Sequence, residues 1–413
     1  MERIPCAVTS SVACCIAGCG PAGALVGYLL ARAGVSVVVL EKHGDFLRDF
    51  RGDTIHPSTL EILDEVGLAD RFLELPHSKV SKLSIQTTTG QKIAMSFERL
   101  PTKFRFIAMV PQWDFLEFLT KEAARFSTFR LVRNAEVIGL LEVDGVIRGV
   151  RYRDAAGEHE IEAPLTIGAD GRASVTRQAA NLPQVQAAPP MDVLWFRLSH
   201  HPGELTEIGL RLGAGLGLVL LDRHDYWQVA YIIPKGAADR IRTQGLDAFR
   251  TAILTVAPEL QDRVAEIRDW DQVKLLTVRA DRLTRWHRPG YLAIGDAAHA
   301  MSPVGGVGIN IAIHDATAAA NILWKPLAAG TISESDLADV QRAREFSVRA
   351  IQAFQSAIQS QIIKPMLDAN KPPSLPWVLR AILRVPILRD LPPRLVAFGI
   401  RRPHVQSPST FAL

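Results

Sequence analysis

Val12-Ala13-Cys14-Cys15-Ile16-Ala17-Gly18-Cys19-Gly20-Pro21-Ala22-Gly23 opens a run that continues to Leu40 and stops at Glu41, and the fold turns on how that run is read. Across positions 12–40 only Arg32 is charged, which is enough apolar length to span a membrane. Ile16-Ala17-Gly18-Cys19 even has the look of a bacterial lipoprotein cleavage site. The internal punctuation argues the other way. Residues 12–17 form a short buried strand, 18–23 spell G-x-G-x-x-G, 24–33 are helical up to Gly34, and 35–40 are a β-branched strand with an acid directly after it. Glycines between a strand and a helix, with an acid 18 residues beyond the last glycine, make the dinucleotide fingerprint in its required context. Gly18 makes the tight turn, Gly20 lets the backbone meet a pyrophosphate, and Gly23 allows helix and strand to touch. The helix N-terminus favours phosphate charge. Glu41 would accept the ribose hydroxyls.

The same logic recurs far along the chain. Residues 290–316 read Gly290-Tyr-Leu-Ala-Ile-Gly295-Asp296-Ala-Ala-His299-Ala-Met-Ser-Pro303-Val-Gly305-Gly306-Val-Gly308-Ile-Asn310-Ile-Ala-Ile-His-Asp-Ala316. A short apolar strand ends in a carboxylate, then a glycine-rich loop enters a helix. This suits a ligand with hydroxyls at one end and acceptor atoms at the other. The alternative is an ordinary connection whose glycines only make turns. Between the two lies Leu165-Thr-Ile-Gly168-Ala-Asp170-Gly171-Arg172-Ala-Ser174-Val-Thr-Arg177, again a strand ending in Gly-x-Asp-Gly before a helix. Either aspartate could equally be a plain helix cap.

Outside these motifs the chain alternates in character. Arg51 sits in the loop after the second strand, as a surface charge or a reach back to the phosphates. A helix opens near Pro57, a hairpin turns about Thr89-Gly90, and Gln112 starts another helix, where capping is its plain reading. Residues 137–153 and 158–163 look antiparallel, with a turn at Asp144-Gly145. From 191 to 234 the chain is β-rich, a helical piece is expected over 246–267, and a strand over 273–278. Gly213-Ala-Gly215-Leu-Gly217 precedes a strand and lacks the acid, so it is not a second fingerprint. This alternation predicts an α/β protein with a discontinuous plan. Residues 1–76, 103–180 and 275–330 would build one domain, and 77–102 and 181–274 an antiparallel second one.

Composition narrows the function. At 413 residues, 48% apolar and 22% charged, this is a globular protein with a large core. A net charge of +4 is too small to argue for nucleic acid. All four cysteines lie within the first 19 residues, which is neither a disulfide framework nor a zinc spacing, and reduced thiols fit a cytoplasmic protein.

The trio of Gly18-x-Gly20-x-x-Gly23, Gly168-Ala-Asp170-Gly171 with Arg177, and Gly295-Asp296-Ala-Ala-His299 through Pro303, Gly308 and Asn310 resembles the single-component flavoprotein monooxygenases of the para-hydroxybenzoate hydroxylase type, in their order and spacing. The resemblance covers about the first 330 residues. It implies a Rossmann-like FAD-binding domain interleaved with an antiparallel β-sheet substrate domain. It also implies extended FAD, with Glu41 at the adenosine ribose, Arg51 near the pyrophosphate, Gln112 on the ribityl side and Asp296 on a ribityl hydroxyl. Residues 303–310, with Pro303, Gly305, Gly306, Gly308 and Asn310, would line the flavin ring. Asp170 and Arg177 would serve both FAD and a visiting nicotinamide. NADPH or NADH would reduce FAD, and O2 would be carried as a flavin C4a-hydroperoxide to a small aromatic or polyketide-like molecule. No dedicated catalytic side chain stands out beyond the flavin-facing loop, because the cofactor carries the chemistry.

The substrate region is expected between that loop and the β-rich domain, with Trp195, Arg197, Trp227 and Tyr231 as candidate lining; aromatic residues in strands also serve as plain core. Rival readings are a flavin-dependent halogenase, a reductase of the same superfamily, or a non-enzymatic flavin sensor. The halogenase would want Trp-x-Trp-x-Ile-Pro, whereas residues 227–234 have the closing Ile-Pro without the spaced Trp pair. Beyond 330 nothing carries over. A long helix is expected over 331–365, then a Pro-punctuated stretch, 367–413, with seven Lys/Arg against two Asp/Glu. That stretch reads as a cap over the two domains, or as a basic apolar surface for peripheral membrane contact.

Overall fold

Side-chain alternation in the first strand shows why the opening run is so apolar. The computed structural model describes residues 10–47, 53–201, 208–223, 225–368 and 388–410, with the separate positions 370, 376, 377, 381 and 385. Strand Cys14–Ala17 is wholly buried. Cys14 and Ile16 join the core beneath helices Pro21–Arg32 and Gly308–Ala329, while Cys15 and Ala17 meet Val137, Val150 and Ile161 on the opposite side. Val37–Glu41 divides in the same way. A strand covered on both faces has no polar face to show, and so it mimics a membrane segment in hydropathy. Among the described residues no helix is long and apolar enough to cross a membrane.

The central sheet has six strands in the order His287–Arg288, Tyr291–Ala293, Leu165–Gly168, Cys14–Ala17, Val37–Glu41, Phe129–Arg133. All neighbours are parallel except the first pair. One face carries the two helices; Glu136–Val143, Val146–Asp154 and Gly157–Glu162 form an antiparallel layer over the other. Asp144 and Gly145 both have positive φ, 49° and 76°, which is the primed turn that fits a tight hairpin.

A second, seven-stranded sheet runs Lys274–Leu276, Met191–Ser199, Tyr226–Pro234, Gly217–Asp222, Ile208–Leu212, Lys82–Thr87, Lys92–Ser96. The hairpin about Thr89-Gly90 therefore leaves the parallel layer and pairs with strands more than a hundred residues away. Helix Leu246–Val256 packs on one face of this sheet. That helix stops eleven residues sooner than the sequence suggests. Pro258 pushes Ala257 out of helical geometry, to φ −136° and ψ 68°, and short 3-10 turns follow.

The long C-terminal helix, Glu334–Ile358, starts at a capping box on Ser333 and runs through a π turn, Gln359–Ile363, into Lys364–Met366. It buries Leu337, Val340 and Ile351 as expected, but also Gln341, Arg344, Ser347 and Gln355. Further on, Leu391–Phe398 packs Ala397 against Phe97 and Leu100. The chain then returns to the nucleotide-type layer, where Arg402 pairs with Glu61 and Thr410 N donates to the Arg32 carbonyl. Arg51 and much of the basic stretch at 371–387 lie outside the described residues.

Candidate active site

Three loops separated by more than a hundred residues each meet because their strands end at one level. Gly168 pairs with both Ala17 and Ala293 in the parallel sheet, so the segments after positions 17, 168 and 293 emerge side by side at its carboxyl edge. This edge is where open α/β sheets bind ligands.

The first loop is packed where it must be and open where a ligand must come. A Cβ on Gly23 would lie 2.0 Å from the Gly18 carbonyl, whereas one on Gly20 would meet nothing within 4 Å. Gly20 thus leaves bare backbone beside the N-terminus of helix Pro21–Arg32. Glu41 lies at the same edge, 8% exposed, with one carboxylate oxygen accepting from Cys19 N at 3.0 Å and the other from His43 N at 3.1 Å.

In the second loop Asp170 is turned inward. Its carboxylate accepts from Ser174 Oγ at 2.5 Å, Thr176 N at 3.0 Å and Thr176 Oγ1 at 2.8 Å. Ser174 is the helix cap, accepting from Arg177 N. Arg177 is 7% exposed and donates to Asp281 Oδ1 at 3.2 Å and to the Arg172 carbonyl at 3.0 Å. Asp281 in turn accepts from Ala300 N, so this guanidinium ties the second loop to the third. Tyr291 bonds Thr176 within the same network, and burial pushes its phenol well up, with the Asp170 charge adding to the effect.

The third loop presents its carboxylate. The Asp296 side chain is one-third exposed, and among the described residues it is paired with Arg172 Nη2 at 3.5 Å, too far for a good hydrogen bond. Sequence reasoning did not single out Arg172. Pro303 leads into Gly305 and Gly306, both at positive φ, and Thr54 Oγ1 donates to the Gly306 carbonyl at 2.9 Å. Asn310 Oδ1 accepts from His56 N at 3.1 Å and Thr59 Oγ1 at 2.7 Å, while its buried Nδ2 has no partner among the described residues. Gln112 donates its backbone N–H to Asp53 Oδ1 at 3.2 Å at the start of helix Gln112–Ala123.

Beneath the third loop lies a buried charge cluster that sequence reasoning missed. Asp315 is fully buried and accepts from Gly295 N at 3.1 Å, His299 Nε2 at 2.6 Å and Arg344 Nε at 2.9 Å. Burial alone would raise its carboxyl, but His299 and Arg344 outweigh that and hold it down at about 2. His299 belongs to the motif; the signal for its partner was an acid buried on an otherwise apolar helix face.

The β-rich candidates divide by register. Trp195 and Arg197 alternate with Leu194, Phe196 and Leu198 along one strand, opposite Ala230 and Gln228. Trp195 packs in the cluster that contains Val304 of the third loop. Trp227 and Tyr231 point to the other face, under helix Leu246–Val256, where Tyr231 stacks near Phe249 and burial pushes its phenol up to about 12. They are core beneath that helix, so only Trp195 and Arg197 remain as candidates for the substrate region.

A bare cradle at Gly20, a carboxylate one-third exposed at Asp296 and an orphan donor at Asn310 fit an extended nucleotide whose hydroxyls and carbonyls need those partners. Together with an antiparallel sheet facing the third loop, they define an FAD-dependent flavoprotein monooxygenase. The protein-family model described as FAD binding domain matches residues 11–354, and the chain belongs to that family. It is 30% identical over 381 residues to 6-methylpretetramide 4-monooxygenase of Streptomyces rimosus, spanning 89% of this chain and 91% of that relative. Its fold is similar to P. aeruginosa PqsL, solved with 2-aminobenzoylacetate, with a TM-score of 0.76 at 20% identity over 87% of this chain and 99% of that one. It is also similar to a flavin-dependent brominase, with a TM-score of 0.77 at 16% identity over 95% of both chains.

Proposed function

We propose that the protein inserts one oxygen atom from O2 into an electron-rich aromatic or polyketide-derived small molecule, with NADH or NADPH as a transient reductant. The carrying observation is the near full-length similarity to a monooxygenase named for a polyketide-type substrate. FAD, when bound, supplies the redox chemistry, passing electrons from the nicotinamide to O2 and delivering oxygen to the substrate.

What the chain supplies is binding, orientation and dryness. Glu41 would hold the adenosine ribose, the backbone at Gly18, Gly20 and Gly23 the pyrophosphate, with Arg51 nearby, and Gln112 and Asp296 the ribityl chain. Pro303, Gly305, Gly306, Gly308 and Asn310 would line the ring, with Asn310 Nδ2 offered to a carbonyl acceptor. Asp170 and Arg177 act through the loop they brace, because their side chains are already bonded within the protein. The apolar sheet face with Trp195, Val219 and Ile232 gathers against Val304 and excludes water from the ring side. Residues 1–76, 103–180 and 275–330 would serve FAD, 77–102 and 181–274 the substrate, and 331–413 would cap them, in the cytoplasm. Peripheral membrane contact through the basic stretch has no support in the described residues.

Turnover of an aromatic panel in labelled O2 tests the reading. One labelled oxygen atom per NAD(P)H and per O2 is expected in the product. Anaerobic turnover, or chloride or bromide in the product, would replace it with the reductase or halogenase reading.

A further inference from the structure

Gln355 and Gln359 sit four residues apart on the inward side of the C-terminal helix, 3% and 8% exposed. Burying an amide is unfavourable unless its hydrogen-bonding groups are used. Both are used on one target. Gln355 Nε2 donates to the Ser302 carbonyl at 2.9 Å and to the Val304 carbonyl at 2.8 Å. Gln359 Nε2 donates to Ser302 Oγ at 2.7 Å. Carbonyl oxygens only accept, so the orientation of the Gln355 amide is forced and both of its N–H bonds are engaged.

The two carbonyls flank Pro303, which has no N–H of its own to knit the turn together. They open the segment that continues into Gly305 and Gly306 at positive φ. Within the loop, Gly306 N donates to the Pro303 carbonyl at 3.0 Å and Val304 N reaches Ser302 Oγ at 3.4 Å, and the glutamines hold the segment from outside. Straight after Gln355 the helix widens into its π turn, Gln359–Ile363. That turn keeps Gln359 on the loop while Ile358, Ile362 and Met366 reach the apolar cluster of the second sheet, which also contains Val304. The segment 355–366 therefore contacts the loop with its polar atoms and the sheet with its apolar ones.

We infer that Gln355 and Gln359 are positioning residues for the flavin-facing loop: their amides hold the backbone through 302–304, and hence the glycine turn after it, in one orientation toward bound FAD. The helix beyond residue 330 is then part of the oxidative machinery, although it carries no motif. This rests on the monooxygenase reading, but its test needs no substrate.

The test uses full-length protein loaded with FAD, as wild type, Gln355→Leu, Gln359→Leu and Ser347→Ala. The last removes a buried donor to the Ile400 carbonyl from the same helix, away from the loop. Melting temperature, FAD affinity and the visible band of bound FAD are measured for each. Gln355→Leu is expected to weaken FAD about fivefold and shift its visible band, while Ser347→Ala only lowers the melting temperature. If Gln355→Leu does not fold, Gln359→Leu decides, since it loses one bond to a hydroxyl. Its effect should match that of Ser302→Ala and not add to it in the double variant. Gln variants that lower the melting temperature yet leave band and affinity as in wild type would overturn the inference. Wild type that holds FAD but oxygenates nothing would sink the monooxygenase reading instead, and the spectra would still decide this one.

Discussion

Asp170 and Asp296 end neighbouring strands of one sheet, each beside a glycine and before a helix, and the structure uses them in opposite ways. Asp170 accepts three bonds from its own loop, two of them from Thr176. Asp296 is one-third exposed and, among the described residues, faces a loosely paired Arg172. The difference lies in the residues just downstream of each aspartate. Ser174 and Thr176 place a hydroxyl donor four and six residues beyond Asp170. At the same offsets from Asp296 stand Ala300, which has no hydroxyl, and Ser302, whose Oγ is engaged by Gln359 Nε2 at 2.7 Å. Of these two aspartates, the one with side-chain donors in its own loop is built into that loop, and the other is left available to a ligand.

The largest effect should come from the inward carboxylate. Asp170→Ala strands a backbone N–H and two hydroxyls at the edge of the core, and should cost about 2–4 kcal/mol of stability. Chemical denaturation measures it, and the part that stays folded should still bind FAD nearly as tightly as wild type. Asp296→Ala is the mirror case. FAD affinity should drop about thirtyfold, the loss of a charged acceptor for ribityl hydroxyls, with the apoprotein melting within about a degree of wild type. Stoichiometric FAD retained by that variant, or a large loss of apoprotein stability, would erase the contrast.

Much of this arrangement was legible in the sequence, and the reason is local. The strand–glycine–helix signature at 12–41 depends on backbone geometry that only particular residues allow, so it can be read without tertiary knowledge. Which aspartate is bonded into its own loop was readable in principle, from Ser174 and Thr176, but not from the shared Gly–Asp pattern. What could not be read depends on sheet register. Trp227 and Trp195 are equally aromatic strand residues, and only the pairing of Leu198 with Trp227 and of Trp195 with Ala230 puts them on opposite faces. The buried Asp315–His299–Arg344 cluster spans 45 residues and two helices, beyond any local pattern. Gln355 and Gln359 look like solvent-facing helix residues until the loop beneath them is seen.

Acid offers a milder probe of the side that holds the third loop. His56 is fully buried, its backbone N–H on Asn310 and its Nδ1 2.7 Å from the Val396 carbonyl. Burial lowers its pKa to about 4, and the Val396 contact only partly opposes that. The folded protein therefore keeps this imidazole neutral while the unfolded chain protonates it below about 6.5. Stability should fall as pH drops from about 6.5 toward 4, by about 1.4 kcal/mol per unit from His56 alone. His314, also lowered by burial, acts with the same sign. Denaturation series at several pH values in wild type and His56→Phe check it; an unchanged slope in the variant would remove His56 as the cause.

The smallest effect should belong to Arg172, and it tests whether Asp296 is truly free. The 3.5 Å separation and the one-third exposure of both side chains leave a screened attraction rather than a directed bond. The structural share of Arg172 lies in its carbonyl, which accepts from Arg177 and survives truncation of the side chain. Arg172→Ala should therefore leave the melting temperature unchanged and weaken FAD by no more than about threefold at low salt, through loss of one positive charge beside Asp296. At high salt the two proteins should bind FAD alike. Titrating FAD against both at two ionic strengths gives the answer. If Arg172→Ala instead matches Asp296→Ala at every salt concentration, the two residues form one binding unit, and Asp296, like Asp170, is held by its own loop.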